Sequence, residues 1–402
     1  MRLVRIAAAL ALLAFPATPV AGQESRYDRE AGRLVHEITG TLPAGAPRVE
    51  VLTDLGSITV HATAGPGVRY RIRVTAANGD EDAARRQIDA LLLSVSRQGE
   101  SLVIRGQAAG AGLSRGLSAD FDLSLPAATP DLQVSTGAGD IEVAGLGGSV
   151  VLSTRGGGVL ADDVGGTLRV ETDGGNIEVG SVRGEARLST AGGAVRLSSG
   201  GSGVVAQTSG GDVRIGSAAG AVRAQTAGGS ISIDSAGGEV SVVTNGGNIE
   251  IGRVAGRVTA STAGGSIRVA SAGRGARCET GAGPIDLRSV EGPIHAVTSA
   301  GSIDADLSAA GAGFAESDLQ TWMGDVTILL PESLPVTIRA LVDNPLGQSI
   351  RSDFPLTISR ESEATGRPIE VAEGTGAGGG SLLKVRTLAG KIWIQKVKNT
   401  TH

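Results

Sequence analysis

The chain predicts an all-β fold, a parallel β-solenoid of the β-helix or β-roll type, and three observations carry the prediction. An eighteen-residue phrase repeats nine times over residues 139–300, each copy holds two short runs of alternating apolar residues, and glycines bound both runs. Residues 175–192 give the phrase as GNIEVGSVRGEARLSTAG, and Gly139, Gly157, Gly175, Gly193, Gly211, Gly229, Gly247, Gly265 and Gly283 open the nine copies. A unit this short cannot bury its own apolar side, so a fixed period means copies stacked into one continuous core.

The first run of each copy carries Ile141, Val159, Ile177, Val195, Val213, Ile231, Ile249, Ile267 or Ile285, with Val143, Val179, Leu197 and Ile215 among the residues two further on. In the second run Val150, Leu168, Val222, Val240 and Ile294 share a column, followed two on by Leu152, Val170, Leu188 and Cys278. Period-two alternation with β-branched enrichment reads as half-buried strands. Two short strands per coil imply two facing parallel sheets, rungs about 4.8 Å apart and a core about 10 Å thick. So thin a core suits Val, Ile and Ala, and no Phe, Tyr or Trp occurs between Phe121 and Phe314. Nine rungs at that spacing make a rod roughly 43 Å long. Glycine is expected at the corners for the positive φ that a tight turn needs.

Thr154, Thr172, Thr190, Thr208, Thr226, Thr244, Thr262, Thr280 and Thr298 each lie three residues before the glycine that starts the next copy. Parity places them on the inward side with the apolar pairs. They are therefore expected to bond turn amides or stacked neighbours as a structural ladder. An outward array of the ice-binding kind would need the opposite parity.

Flanking regions divide the rest. Residues 1–22 read as a secretory signal: Arg2 and Arg5, a short apolar run at 6–15, then small residues ending Val20-Ala21-Gly22. The run is too short to span a membrane, and no cysteine follows Gly22 to take a lipid. The mature chain is expected in the periplasm, at the cell surface or outside the cell, with no transmembrane segment after signal removal.

Residues 23–138 are expected to form a β-rich N-terminal cap. The phrase Thr53-Asp-Leu-Gly56-Ser-Ile58-Thr-Val60 echoes the repeats, and strand-like residues follow at 69–74. A helix is expected near 80–93, from Ala84, Ile88, Leu91 and Leu92 on one face with Asp80, Glu81 and Asp82 at its start. A hairpin across Gln98-Gly99, a loop at 106–116 and a strand at 119–125 complete the cap. The regular solenoid is expected over 139–306, and 307–402 as decorated terminal coils in which Thr321-Trp-Met-Gly324-Asp-Val326 and Thr387-Leu-Ala-Gly390-Lys-Ile392 keep the phrase. Both tryptophans fall here, where an end can take bulk that the thin rod cannot.

Sixty-three glycines in 402 residues would suggest disorder without the period that orders them. A net charge of −5 gives no reason to expect nucleic acid or an anionic membrane as partner. The single cysteine, Cys278, occupies an inward column and reads as a small core residue.

With the GG-x-I-x-V repeats, the leader and the closing Gly390-Lys-Ile392-Trp-Ile394 in view, the chain resembles the bacterial putative-adhesin family, a domain of unknown function. The resemblance spans nearly the whole mature chain. It implies the solenoid fold and an adhesive role, and supplies no catalytic or binding residues.

Chemistry is sparse. Calcium-binding rolls need an Asp at each strand-to-turn junction, and only Asp162 and Asp234 occupy the nine equivalent positions. His36, His61, His295 and His402 are scattered singly, so no metal or cofactor is expected. The best case for a polysaccharide-active enzyme is Asp286 with Asp304, or Asp162, Asp163, Glu171 and Asp173, because acid/base work needs paired carboxylates. The rungs, however, offer no aromatic platform for a sugar. Arg169, Arg187, Arg223 and Arg277 share one outward column that could attract anionic envelope polymers, although the nine copies hold 13 Arg against 15 Asp and Glu. The leading expectation is an exported, non-catalytic solenoid, either an adhesin or a cell-envelope structural protein meeting an envelope glycan or protein. An envelope-stress or sensory module that binds a protein through its capped ends is the alternative.

Overall fold

The computed structural model describes residues 23–43, 45–77, 80–109, 116–307, 314–345, 349–362 and 367–397. The expected leader at 1–22 and the tail with His402 lie outside them. The expected solenoid is present. Two long sheets face each other, and successive strands alternate between them, so that each coil contributes one strand to each.

Stacking is parallel and in register throughout the middle. Ile177 pairs with Val195, Val195 with Val213 and Val213 with Ile231 in one sheet. Leu168 pairs with Ala186 and Ala186 with Val204 in the other. Every inward column is buried and every second residue between faces solvent, as in Ile177–Val182 and Ala186–Thr190. A slip of one residue would turn all of these side chains inside out, which pins the register.

The corner glycines act differently from expectation. Of the nine, only Gly139 (φ +131°) and Gly283 (φ +155°) have left-handed dihedrals. Elsewhere the cause is close approach. A Cβ on Gly157 would lie 1.9 Å from the carbonyl oxygen of Gly139, and one on Gly175 2.0 Å from that of Gly157. Stacked backbone, rather than turn geometry, excludes any side chain there.

Chain order departs from spatial order at both ends. Residues 48–63 form the first coil in sequence, yet Arg48–Thr53 lies between Ser101–Ala108 and Asp131–Thr136. Likewise the last coil in sequence sits one place in: Ile392–Val397 lies between Val326–Pro331 and Ile350–Ser352. The phrases at Thr53, Thr321 and Thr387 put these coils in register with the regular ones, with Thr53 opposite Thr136 and Thr321 opposite both Thr298 and Thr387. Antiparallel strands finish three of the four sheet ends, including the charged edge strands Glu24–Glu30 and Leu356–Ser362, while the parallel strand Ile350–Ser352 finishes the fourth. Exposed charge on an edge strand discourages pairing with a further chain.

The helix is shorter than expected, Glu81–Asp89, with Ala84 and Ile88 buried and the Asp80 side chain accepting from the Asp82 amide. Leu91, Leu92 and Leu93 belong to the strand Leu91–Gln98, paired antiparallel to 101–108. Their spacing suits a helix, but the ladder to Ser101–Ala108 satisfies their backbone instead. Gly106, expected in a loop, is inside that partner strand. It replaces the column threonine, being opposite Thr53, and leaves room for the ring of Phe121, which a Cβ there would meet at 2.8 Å.

Candidate functional site

The threonine column is internal. All nine side chains are buried. Thr190 Oγ1 donates to the Gly175 carbonyl of the preceding coil (2.9 Å) and accepts from the Gly193 amide of its own turn (3.1 Å). The same donation recurs from Thr154 to Gly139, Thr172 to Gly157, Thr208 to Gly193, Thr226 to Gly211, Thr244 to Gly229, Thr262 to Gly247, Thr280 to Gly265 and Thr298 to Gly283. It continues beyond the repeats from Thr136 to Gly56, Thr321 to Gly301 and Thr387 to Gly324. These hydroxyls clip coil to coil and present nothing to a ligand.

Arg169 and Arg187 are direct neighbours, but Val205 separates Arg187 from Arg223, and Ser241 and Thr259 separate Arg223 from Arg277. Arg169 pairs with Glu171, Arg277 with Glu279, and Arg187 with Glu185 at 2.9 Å. The column is therefore an interrupted set of locally neutralised charges. Beside it a shallow groove runs over Ser189, Gln207, Gln225 and Val243, about 290 Å³ in extent. Uncharged polar side chains form its floor.

The two carboxylate groupings fare differently. Asp286 and Asp304 are register partners on adjacent coils. Asp286 is engaged by Arg288 at 2.6 Å and Arg268 at 3.5 Å, which commits its lone pairs to structure. Asp162 caps a turn, accepting from the Asp163 and Ser181 amides, and faces away from Glu171, which sits on the opposite sheet with Arg169. The structure does not bring the second set together.

Cys278 is fully buried, and burial pushes its thiol up to about 12. Such a group is not a nucleophile at ordinary pH. His36 stacks on Tyr27, whose hydroxyl donates to Asp89, while Arg85 lies 4.5 Å over the Tyr27 ring. Burial lowers the His36 pKa and, together with the Asp89 bond, raises that of Tyr27. This cluster fastens the helix to the outer strands. His295 lies 3.6 Å from Glu279 and 3.8 Å from Asp318. Among the described residues no group of three or more His, Cys, Asp or Glu side chains could hold a metal ion. No described helix is long and apolar enough to cross a membrane.

The tryptophans correct an expectation. Neither fills the end of the rod. Thr321 and Ile392 point inward, so Trp322 and Trp393, each one residue on, point out. Trp322 and Met323 are each 62% exposed, with Leu388 on the adjacent strand at 42%. Beside them Arg386 binds Asp343 through Nε (2.8 Å) and Nη2 (3.0 Å). Gln320, Thr321, Trp322, Asp343, Arg386 and Leu388 line a pocket of about 320 Å³. The signal was in the phrase itself: the residue after the column threonine always faces solvent.

Fold and surface together define a two-sheet parallel β-solenoid, closed at each end by antiparallel strands and carrying ladder-like outer columns. No family model matches the chain, and no curated protein is similar to it. Among solved structures it is similar to a putative cell adhesion protein from Clostridium sporogenes, at 8% identity over 90% of this chain and 99% of that one, with a TM-score of 0.22. It is similar to a putative adhesin from Bacteroides fragilis, at 14% identity over 66% of this chain and 95% of that one, with a TM-score of 0.28. A putative lipid binding protein from Parabacteroides distasonis is similar at 13% identity over 74% of this chain and 94% of that one, with a TM-score of 0.21. At these scores the likeness carries no argument about what this chain does.

Proposed function

We infer that the chain is an exported, non-catalytic solenoid whose outer faces serve adhesion or cell-envelope assembly. One observation carries this reading: the outer residues stack in columns from coil to coil, as do Ser189, Gln207 and Gln225 on three successive coils, with the strands beneath them locked in register. A surface extended in one direction and rigid along it suits a polymer or another large partner better than a small substrate. Export rests on the leader-like residues 1–22.

The test is fractionation of the native host followed by cross-linking in intact cells. The protein is expected with the envelope or outside the cell, joined to an envelope polymer or protein. Recovery in the cytoplasm would remove the reading. Turnover of any glycan, lost on Asp286→Asn, would replace it with an enzyme. An interaction module acting through its ends is the second reading, favoured by the exposed Trp322, Met323 and Leu388 on the C-terminal coils.

A further inference from the structure

We propose that the corner formed by Trp322, Gln320, Asp343, Arg386 and Leu388 is a binding site for a neutral saccharide. The inference rests on the surface-binding function above and gives it a location.

A large aromatic side chain is normally buried, and strand parity has turned this one outward on a doubly paired strand. Ser317–Met323 is paired along both edges, to Ile294–Ala300 and to Ser381–Ala389. The indole is thus an exposed aromatic face carried on a fixed strand. The pocket beside it is built by three adjacent strands: Gln320 and Trp322 from the first, Arg386 and Leu388 from the second, and Asp343 directly after the third, Val336–Val342. Asp343 is only 9% exposed, its amide donates to the Thr387 carbonyl, and its carboxylate is oriented by both bonds from Arg386.

This combination matches a pyranose ring, which shows C–H groups on its face and hydroxyls around its rim. The indole face takes the first. The Asp343 carboxylate, held in place by Arg386, and the Gln320 side-chain oxygen, whose amide nitrogen is fixed by Asp318, offer acceptors to the second. Three strands span about 10 Å, enough for two sugar rings. Asp343 and Arg386 cancel in charge, which selects a neutral sugar over a uronate. An acyl chain would strip water from that ion pair and give nothing polar in return. Three exposed apolar side chains fall far short of the roughly 800 Å² per partner of a stable protein interface.

Isothermal titration with cellotriose, maltotriose, chitotriose and a galacturonate trisaccharide tests the site in the full mature chain. At least one neutral trisaccharide is expected to bind. Trp322→Ala should weaken it about tenfold and Trp322→Phe should retain most of the affinity, with circular dichroism unchanged in both. Binding of no neutral trisaccharide overturns the proposal, as does binding indifferent to Trp322→Ala. Capture of a protein from host envelope that depends on Trp322, with no sugar bound, assigns the corner to protein docking instead. Failure of sugar binding while the protein still fractionates with the envelope sinks the site and leaves the function. Cytoplasmic recovery sinks the function whatever the sugars do.

Discussion

The middle of the rod and its two ends obey different rules. In the middle, chain order equals stacking order, and each coil is held by a neighbour on either side through aliphatic columns, parallel ladders and one threonine clip. At the ends the first and last coils in sequence are tucked one place inward, and the outermost coils come from strands inserted between phrases, 101–108 with 117–126 and 336–342 with 350–352. The difference shows what a repeat needs. A coil that keeps the phrase fits anywhere in the stack, so the phrase can be placed last in sequence and still be flanked on both sides. The outermost coils have lost it: at one end Gly106 stands where the threonine would be, against the buried ring of Phe121, and antiparallel strands cover the coil.

Mutations in the middle can break this contrast, and the largest effect is expected within one pair of neighbouring glycines. Gly157→Ala drives a Cβ into the fixed carbonyl of Gly139, whereas a Cβ on Gly156 meets nothing within 4 Å. Denaturant titration should show Gly157→Ala losing about 3 kcal/mol and Gly156→Ala changing by no more than about 0.5 kcal/mol. Equal effects would mean that the corner is not stacked backbone to backbone.

Next in size is the clip. Thr190→Val keeps the shape but leaves the Gly175 carbonyl and the Gly193 amide without their partner, at a cost of about 1–3 kcal/mol. Thr190→Ser should recover most of that loss in the same measurement.

The end is sharpened by Glu370, whose buried carboxylate accepts from the Ser349 and Ile350 amides and so holds the outermost strand at 350–352. Glu370→Gln removes the charge and leaves one acceptor oxygen where Ser349 and Ile350 had two. Hydrogen exchange should accelerate around 349–352 while coils in the middle stay protected, because a solenoid opens locally from an end. Uniform acceleration would show that the ends and the middle unfold as one unit.

The last effect is absent at neutral pH and appears only in alkali. The Cys278 thiol is pushed up from 9.0 to about 12 by burial, with Glu279 adding to the shift. Below the unfolded value both states hold the proton and stability is flat. Between about 9 and about 12 only the folded state retains it, so stability falls as pH rises. Cys278→Ala, which matches Ala260 and Ala296 on either side, should remove that slope and change little at pH 7.

Periodicity made the fold readable before any coordinates. Ile177, Leu188 and Thr190 reveal their side of the sheet because strand parity is a local property, repeated nine times without contradiction. The same parity announces that Trp322 and Trp393 face out, once Thr321 and Ile392 are recognised as column positions. The helix boundary was not local: Ala84, Ile88, Leu91 and Leu92 suit one helical face, and pairing with Ser101–Ala108 takes the last two away. The weakness of the arginine column was legible as well, since Glu171, Glu185 and Glu279 stand two residues from Arg169, Arg187 and Arg277 and share their face.

By itself, then, the amino-acid order determined the two sheets, the coil length, the buried columns and the inward threonines, because each follows from a short repeated pattern that any copy states in full. Tertiary structure alone decided which segments became the outermost coils, why the corner glycines are required, and that Gln320 and Trp322, Arg386 and Asp343 meet at one corner. Those outcomes depend on contacts between residues 15 to more than 60 positions apart, as from Thr190 to Gly175 and from Thr387 to Gly324, and no local pattern encodes a meeting at such separations.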